Sequence, residues 1–192
     1  MGYKFGIDVA KWNGTIDWKK VKSSGMSFAI LKVTQKDNKV EPSFERNYTG
    51  ALKQNMTIGV YRYVYARNVK EAIVEANAIV NVLKGRKLGY GVWLDMEDAS
   101  IKKLGKKALW EIIDTMNKIL RKNGYTVGIY CNKDWYEHVL DGKSLAPYFP
   151  FWIARYSLAD KGVIKESLNP KKLKGTIAWQ YSSKGKVNGV ST

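Results

Sequence analysis

The sequence predicts an α/β fold: an irregular TIM-like barrel of about eight parallel strands, with helices around the first five strands and a strand-rich C-terminal third. Short β-branched and aromatic runs alternate with segments of helical periodicity, which is the pattern of parallel βαβ units. Several of these runs are apolar almost throughout, as strands buried on both faces are. An open, doubly wound sheet is the lesser alternative, since the sequence has no glycine-rich phosphate-binding fingerprint to support it.

The strands are predicted from short apolar runs bounded by turn residues. Seven runs qualify, and an eighth near the C-terminus is a weaker candidate. In chain order they are residues 5–9, 28–34, 58–65, 92–96, 127–131, 151–154, 177–181 and 187–190.

Two helices are clear from their apolar stripes. Asn68 is placed to cap the first, with Glu71 three residues on as the reciprocal partner of a capping box. The second carries apolar residues on one face from Leu109 to Leu120, and Gly124 stops it. Shorter helices are predicted at residues 18–22, 44–54 and 133–140.

The chain is sized for a single domain. Its 192 residues, of which 45% are apolar, can bury one sizeable core. The N-terminal residues contain no apolar stretch of signal-peptide length, and no segment approaches the roughly 20 apolar residues of a membrane span. We therefore expect synthesis in the cytoplasm without a signal peptide and no transmembrane segment.

The chain is strongly basic. It has 33 Lys plus Arg against 17 Asp plus Glu, a formal charge of +16. Such a charge attracts polyanions, and the alternative is a solvated surface that only maintains solubility. The lysines are scattered and no nucleic-acid-binding motif accompanies them, so no specific nucleic acid is predicted as a partner.

The sequence offers few residues for metal or nucleophile chemistry. Cys131, the one cysteine, lies in an apolar run and is predicted to be a buried structural thiol. His138, the one histidine, has no Cys or His at ligand spacing, so neither a metal site nor a cofactor is predicted. Acid–base catalysis would therefore fall to carboxylates.

Acids stand at the ends of two predicted strands. Asp8 ends the first, and Asp95 and Glu97 end the fourth, two residues apart. On an extended chain Asp95 and Glu97 leave the same face, and two carboxylates this close cannot both ionise freely. Such a pair supplies the proton donor and the charged helper of glycosidic cleavage. The alternative is a strand end whose acids pair with nearby lysines.

Aromatic side chains stand at the other strand ends. Tyr61 and Tyr63 share a face, Tyr130 ends the fifth strand, and Trp152 lies in the sixth. Rings with polar tips suit the faces and hydroxyls of sugars. Each ring alone is typical of a core, but together they indicate the lining of a groove.

With these motifs the sequence resembles the glycoside hydrolase family 25 lysozymes, the Chalaropsis-type muramidases common among phage endolysins and bacterial autolysins. The matching segments occur in order over almost the whole chain. They are GIDV at 6–9, WNG at 12–14, FAILKVT at 28–34, GVYRY at 59–63, WLDMED at 93–98, WIARY at 152–156 and WQYSS at 179–183.

The resemblance implies a peptidoglycan hydrolase that cleaves the β-1,4 bond between N-acetylmuramic acid and N-acetylglucosamine. It implies that Glu97 is the general acid and that Asp95 assists the substrate's acetamido group, with Asp8 as a third, positioning acid. A direct Asp nucleophile and an inverting route stay open.

The resemblance also implies which residues bind the sugar and where in the cell the protein acts. The candidates for sugar contact are Tyr61, Tyr63, Tyr130, Trp152, Gln180 and Lys32. The basic surface would serve attraction to anionic wall polymers, and the protein would act at the cell wall after release from the cytoplasm.

Two positions depart from the family pattern. Arg62 stands where many relatives have His, and it should face away from Tyr61 and Tyr63. The family usually carries a fourth acid after the segment matched here by GVST at 189–192, and this chain ends at Thr192. We therefore expect residues 1–192 to be one catalytic domain, cut just before its C-terminal end, with no wall-binding module.

Three other functions remain open on the sequence alone. A non-catalytic wall-binding module would share the groove without turnover. A nucleic-acid binder is suggested only by the charge. A chitinase-like glycosidase would also use acids at a strand end, but its longer D-x-x-D-x-D-x-E pattern is absent.

Overall fold

The computed structural model describes residues 2–191. Met1 and Thr192 lie outside the described residues, and so do the predictions that depend on the chain's two ends.

Seven strands form one sheet in which every neighbouring pair is parallel. The strands lie side by side in chain order, which excludes the doubly wound alternative, where the strand order reverses within the sheet. Their bounds are β1 Phe5–Val9, β2 Met26–Lys32, β3 Thr57–Tyr63, β4 Val92–Asp95, β5 Val127–Asn132, β6 Phe151–Ala154 and β7 Thr176–Gln180. The sheet curls into a half-barrel, which agrees with the predicted fold class.

Helices follow each of the first five strands, also as predicted. They are α1 Trp18–Ser23, α2 Phe44–Lys53, α3 Val69–Leu83, α4 Lys106–Lys122 and α5 Gly142–Leu145. The helix predicted over residues 133–140 is present over residues 133–139, and its part at Trp135–Val139 is π-helical. Between β6 and β7 only a 3-10 turn, Glu166–Leu168, occurs among the described residues.

The start of α3 confirms one half of the predicted capping box. The Asn68 side chain accepts a hydrogen bond from the Glu71 backbone N–H at 3.0 Å. The carboxylate of Glu71 does not accept the backbone N–H of Asn68; it accepts that of Arg67 at 2.9 Å and the Asn68 side-chain amide at 2.9 Å. The reciprocal contact is therefore shifted by one residue, and it still satisfies a donor at the helix start.

Two apolar layers lie on opposite faces of the sheet. The larger lies between the convex face and the helices, and it includes Val60, Leu94, Ile129 and the stripe of α4. The smaller lies on the concave face around Trp93, Tyr130 and Trp152. Because side chains alternate along a strand, each strand contributes to both layers, and this is why the strand sequences are almost continuously apolar.

The eighth strand candidate, residues 187–190, is wrong. This segment is a turn, closed by the Val190 N–H donating to the Val187 carbonyl at 3.1 Å. The carbonyl of Gly189 accepts the Asp17 N–H at 2.8 Å, which ties the turn to the start of α1. Gly189 has φ 98, a conformation that interrupts an extended strand, so two valines in a polar context do not suffice for one.

Candidate active site

The three predicted acids lie at the carboxyl edge of the sheet, on its concave side. Asp8 is the fourth residue of β1 and Asp95 is the last residue of β4. Asp95 pairs in register with Tyr63 of β3 and with Tyr130 of β5. Glu97 follows two residues after Asp95, so the alternation of the chain directs it to the same side.

Asp95 is a buried acid that lacks part of its hydrogen bonding. It is 4% exposed, and its Oδ1 atom has no hydrogen-bond partner among the described residues. Burial raises its pKa well above the usual value, repulsion from Glu97 raises it further, and Lys32 opposes the change. An unsatisfied buried acceptor is costly, so this oxygen is suited to a donor that a ligand brings.

Glu97 is partly buried and its pKa is also raised. Burial is the main cause, followed by the charges of Asp8 and Asp98, while Lys32 again opposes. In both acids burial is the first cause of the raised pKa, and neighbouring carboxylates add to it. The site can therefore hold a proton on a carboxyl group at a pH where an isolated Glu has lost it.

Asp8 differs from the other two acids because it has a specific hydrogen-bond donor. Gln180 Nε2, at the end of β7, donates to Asp8 Oδ2 at 2.8 Å. Burial raises the pKa of Asp8, and this hydrogen bond acts against that change. The contact joins the last strand to the first, which are not paired with each other in the described sheet.

Gln180 is the centre of a small hydrogen-bond network. Its Oε1 atom accepts the hydroxyl of Tyr130 at 2.7 Å and also the hydroxyl of Tyr156. Because both tyrosines donate to the oxygen, the amide nitrogen is directed to Asp8. Both ends of the Gln180 amide are therefore used inside the protein.

Lys32 is the cation of the site. Its Nζ lies 5.9 Å from the ring centre of Tyr61 and 5.8 Å from that of Tyr63, within cation–π range. Burial lowers the pKa of Lys32, while the charges of Asp95 and Glu41 act in the opposite direction. Lys32 thus lies between the two tyrosines and the acids, where it partly neutralises them.

Aromatic rings form the floor of the concave side. Trp152 packs edge-on against Trp93, with ring centres 5.8 Å apart, and against Tyr130 at 4.5 Å. Tyr61 packs against this cluster. Burial raises the pKa values of the Tyr61 and Tyr130 hydroxyls, so both stay protonated and can donate hydrogen bonds.

The structure brings together all nine predicted site residues on the concave side of the sheet. They are Asp8, Lys32, Tyr61, Tyr63, Asp95, Glu97, Tyr130, Trp152 and Gln180. Two further residues of the site, Tyr156 and Trp93, were not among the predicted contacts. The signal for Tyr156 was its position just after β6, and the signal for Trp93 was its spacing of two from Asp95.

Arg62 faces away from the site, as predicted, and is fully buried beneath α3. Its guanidinium pairs with Glu75 at 3.1 Å, and it donates to the Thr34 hydroxyl at 3.1 Å and the Asn38 side chain at 2.9 Å. The Glu75 carboxylate also accepts the Tyr65 backbone N–H at 3.1 Å. This network attaches the segments that follow β2 and β3 to α3.

Cys131 is buried, as predicted, and burial raises the pKa of its thiol. Across residues 2–191, no three His, Cys, Asp or Glu side chains are grouped as metal ligands. Within the same range, no helix has the length and apolar character needed to cross a bilayer.

Acids at strand ends that open onto an aromatic concave face are an arrangement that suits a carboxylate glycosidase on a barrel-type fold. Comparison with known families makes the assignment specific. The family model of the glycosyl hydrolases family 25 matches residues 7–190, and the chain belongs to this family. The resemblance drawn from the sequence motifs is therefore confirmed.

Individual relatives agree with the family. Lysozyme M1 of Streptomyces globisporus is 28% identical, over 97% of this chain and 64% of its own length. The autolytic lysozyme of Clostridium acetobutylicum is also 28% identical, over 97% of this chain and 52% of its own length. The crystal structure of the bacterial lysozyme from Streptomyces coelicolor superposes with a TM-score of 0.76 at 26% identity, covering 100% of this chain and 89% of that one. The chain thus spans about half to two thirds of the two curated relatives.

Proposed function

We propose that this chain is a peptidoglycan hydrolase, an N-acetylmuramidase that cleaves the β-1,4 bond between N-acetylmuramic acid and N-acetylglucosamine. The observation that carries the proposal is the pair Asp95 and Glu97 at the end of β4, where burial raises both pKa values and the charge of Glu97 raises that of Asp95 further. Membership of family 25 and the likeness to lysozymes support the choice of substrate.

Glu97 is the general acid of this mechanism. It is the less buried of the two acids, and its raised pKa keeps its proton to a higher pH than an isolated Glu would. That proton passes to the glycosidic oxygen as the bond from the anomeric carbon to this oxygen breaks. The leaving sugar therefore departs with a neutral hydroxyl.

Asp95 assists the substrate's own acetamido group. Its unpartnered Oδ1 is placed to accept the acetamido N–H. The acetamido carbonyl oxygen then attacks the anomeric carbon as the glycosidic bond breaks, forming a cyclic intermediate whose positive charge the Asp95 carboxylate stabilises. This is substrate-assisted retention, an exception to the scheme with a carboxylate nucleophile.

The second step returns the enzyme to its first state. A water molecule attacks the anomeric carbon from the face that the leaving sugar vacated, and the Glu97 carboxylate takes its proton. The bond to the acetamido oxygen breaks, so the product keeps the original anomeric configuration. Asp8 positions and tunes the pair, because its charge raises the pKa of both Glu97 and Asp95.

The concave side supplies the contacts to sugar. We assign these to Tyr61, Tyr63, Tyr130, Trp152, Gln180 and Lys32, of which Gln180 and Tyr130 also support each other. We further propose that residues 1–192 act as one catalytic domain at the cell wall. The charge of +16 would draw it to anionic wall polymers.

The test is digestion of purified peptidoglycan, with the new reducing ends identified by mass spectrometry. Wild type is expected to release reducing-end N-acetylmuramic acid, and Glu97→Gln to lose at least about 100-fold in rate, as for loss of a general acid. Glu111→Gln is the matched control, because Glu111 is exposed on α4. Reducing-end N-acetylglucosamine, or a fully active Glu97→Gln, would refute the assignment.

A further inference from the structure

Trp12 is an exposed tryptophan at the edge of the site. It is 80% exposed, the highest value for a tryptophan among residues 2–191, whereas tryptophans are mostly well buried. It lies in the 3-10 turn Lys11–Asn13, which follows β1 after a single residue. The turn is therefore at the same carboxyl edge as Asp8.

The turn that carries Trp12 is held by hydrogen bonds at each end. The Asn13 side chain accepts the Ala10 N–H at 2.9 Å, and the buried Glu41 carboxylate accepts the Lys11 N–H at 2.7 Å. Arg46 donates to the Gly14 carbonyl at 2.6 Å. The backbone is thus already ordered, so a ligand that covers the indole need not order the turn.

Lys11 places a positive charge beside the indole. Its Nζ lies 4.7 Å from the ring centre of Trp12 and 3.4 Å from the side-chain oxygen of Gln35. Its charge also acts on Lys32, which lies against Tyr61 and Tyr63. An exposed aromatic ring with an ammonium group beside it therefore lies at the carboxyl edge of the sheet, the edge that carries the acids.

We propose that Trp12 and Lys11 form a distal subsite for an N-acetylhexosamine residue of the same glycan strand, beyond the sugars that flank the cleaved bond. The indole would stack on the apolar face of the sugar ring, and Lys11 would attract a carboxylate carried by muramic acid or its attached peptide. A single indole is too small an area for a stable protein interface, which favours a sugar as the occupant. The proposal rests on the proposed function, since it extends the substrate of that site.

The test measures binding rather than turnover. In the Glu97→Gln background, affinity for a muramic-acid-containing hexasaccharide and for the corresponding disaccharide is measured by calorimetry, with and without Trp12→Ala. We expect Trp12→Ala to lower the affinity for the hexasaccharide by about five- to tenfold, a typical loss for an exposed aromatic contact. The affinity for the disaccharide should not change. Lys11→Met should lower the affinity for the hexasaccharide that contains muramic acid, but not the affinity for a hexamer of N-acetylglucosamine, which has no carboxylate.

Tyr148→Ala is the matched control, because Tyr148 is 63% exposed but precedes β6 and so lies at the opposite edge of the sheet. The subsite is refuted if Trp12→Ala leaves hexasaccharide affinity unchanged, if Tyr148→Ala weakens it equally, or if the hexasaccharide binds no better than the disaccharide. Binding that depends on Trp12, in a wild-type chain that cleaves no wall glycan, would sustain the subsite and refute the hydrolase.

Discussion

Gln180 donates to Asp8 across 2.8 Å, and this hydrogen bond joins the last strand of the half-barrel to the first. The same amide accepts the hydroxyls of Tyr130 and Tyr156 through its oxygen. Its orientation is thereby fixed, and the donor it presents to Asp8 favours the charged form of that acid. An amide 172 residues away in sequence thus tunes an acid of the candidate active site.

Replacing Gln180 by Met should move the alkaline limb of the pH profile to lower pH. Without its donor, Asp8 holds a proton more readily, and a neutral Asp8 repels Glu97 less. Glu97 then loses its proton at lower pH. The charge of Asp8 acts on Asp95 and Glu97, and both remain in this variant.

The measurement is kcat/KM against pH for Gln180→Met, beside Asp8→Asn and the double variant. Since Asp8→Asn already removes the charge, adding Gln180→Met to it should move the limb no further. A full additional shift in the double variant would show that Gln180 acts on the acids by another route.

The acid pair could be predicted from the sequence because it depends on local geometry. Asp95 and Glu97 are two residues apart on a strand, and alternation alone directs them to one face. The contact of Gln180 with Asp8 could not be predicted in this way, because it depends on how far the sheet curls. The sequence predicted a barrel, but not which residues of β1 and β7 come into contact.

Errors in the predicted fold have similar local causes. Residues 187–190 have the composition of a strand, yet Gly189 and the hydrogen bond to Asp17 turn the chain instead. The carboxylate of Glu71 accepts the backbone N–H of Arg67 rather than that of Asn68. A spacing rule cannot resolve this difference of one residue.

Asp95→Asn should stabilise the fold near neutral pH while it removes activity. The pKa of Asp95 is raised by burial in the folded chain, so the folded state binds its proton more tightly than the unfolded state does. Stability is then lost as pH rises from about 4, the unfolded pKa, towards the folded pKa. The amide of Asn does not ionise, so the variant avoids the cost of burying a charge. We expect its free energy of unfolding to be higher by on the order of 1 kcal/mol at pH 7.

Thermal unfolding at pH 7 and pH 4 tests this, and the gain should shrink at the lower pH. Asp160→Asn is the control of opposite sign. Hydrogen bonds, first from Ser182, lower the pKa of Asp160 to about 2, so its contribution is present above about pH 4 and is lost as pH falls towards 2. A destabilised Asp95→Asn at pH 7 would contradict the assignment of Asp95 as a buried acid whose pKa is raised in the folded chain.

Lys32→Met should move both limbs of the pH profile to higher pH. The ammonium opposes the raised pKa values of Asp95 and Glu97, so its removal raises both further. Because the two carboxylates titrate as a coupled pair, the acid limb reports the loss of the pair's first proton and the alkaline limb the loss of its second, so the two limbs move together. Lys36→Met is the control, since Lys36 is exposed after β2 and lies against Tyr65 instead. A fall in rate with no shift of either limb would assign Lys32 to substrate contact alone.

Arg62→Met should destabilise the protein by about 3–5 kcal/mol, because it leaves Glu75 as a buried charge without its partner. The double variant Arg62→Met with Glu75→Met removes both charges and should recover most of that loss. Urea unfolding of the three proteins measures both effects. If the double variant were no more stable than the single one, the hydrogen bonds of Arg62 to Thr34 and Asn38 would be the larger contribution.

Attachment to walls should weaken steeply with salt if the net charge of +16 recruits the protein to anionic polymers. Screening shortens the range of attraction from about 10 Å at 0.1 M salt to about 3 Å at 1 M, so a long-range contribution disappears over that interval. Glu97→Gln is used for the measurement, because it binds without digesting the wall. Walls stripped of their anionic polymers provide the control and should retain less protein at low salt, with little dependence on salt. Equal retention by intact and stripped walls would assign attachment to the glycan cleft, whose aromatic contacts salt does not screen.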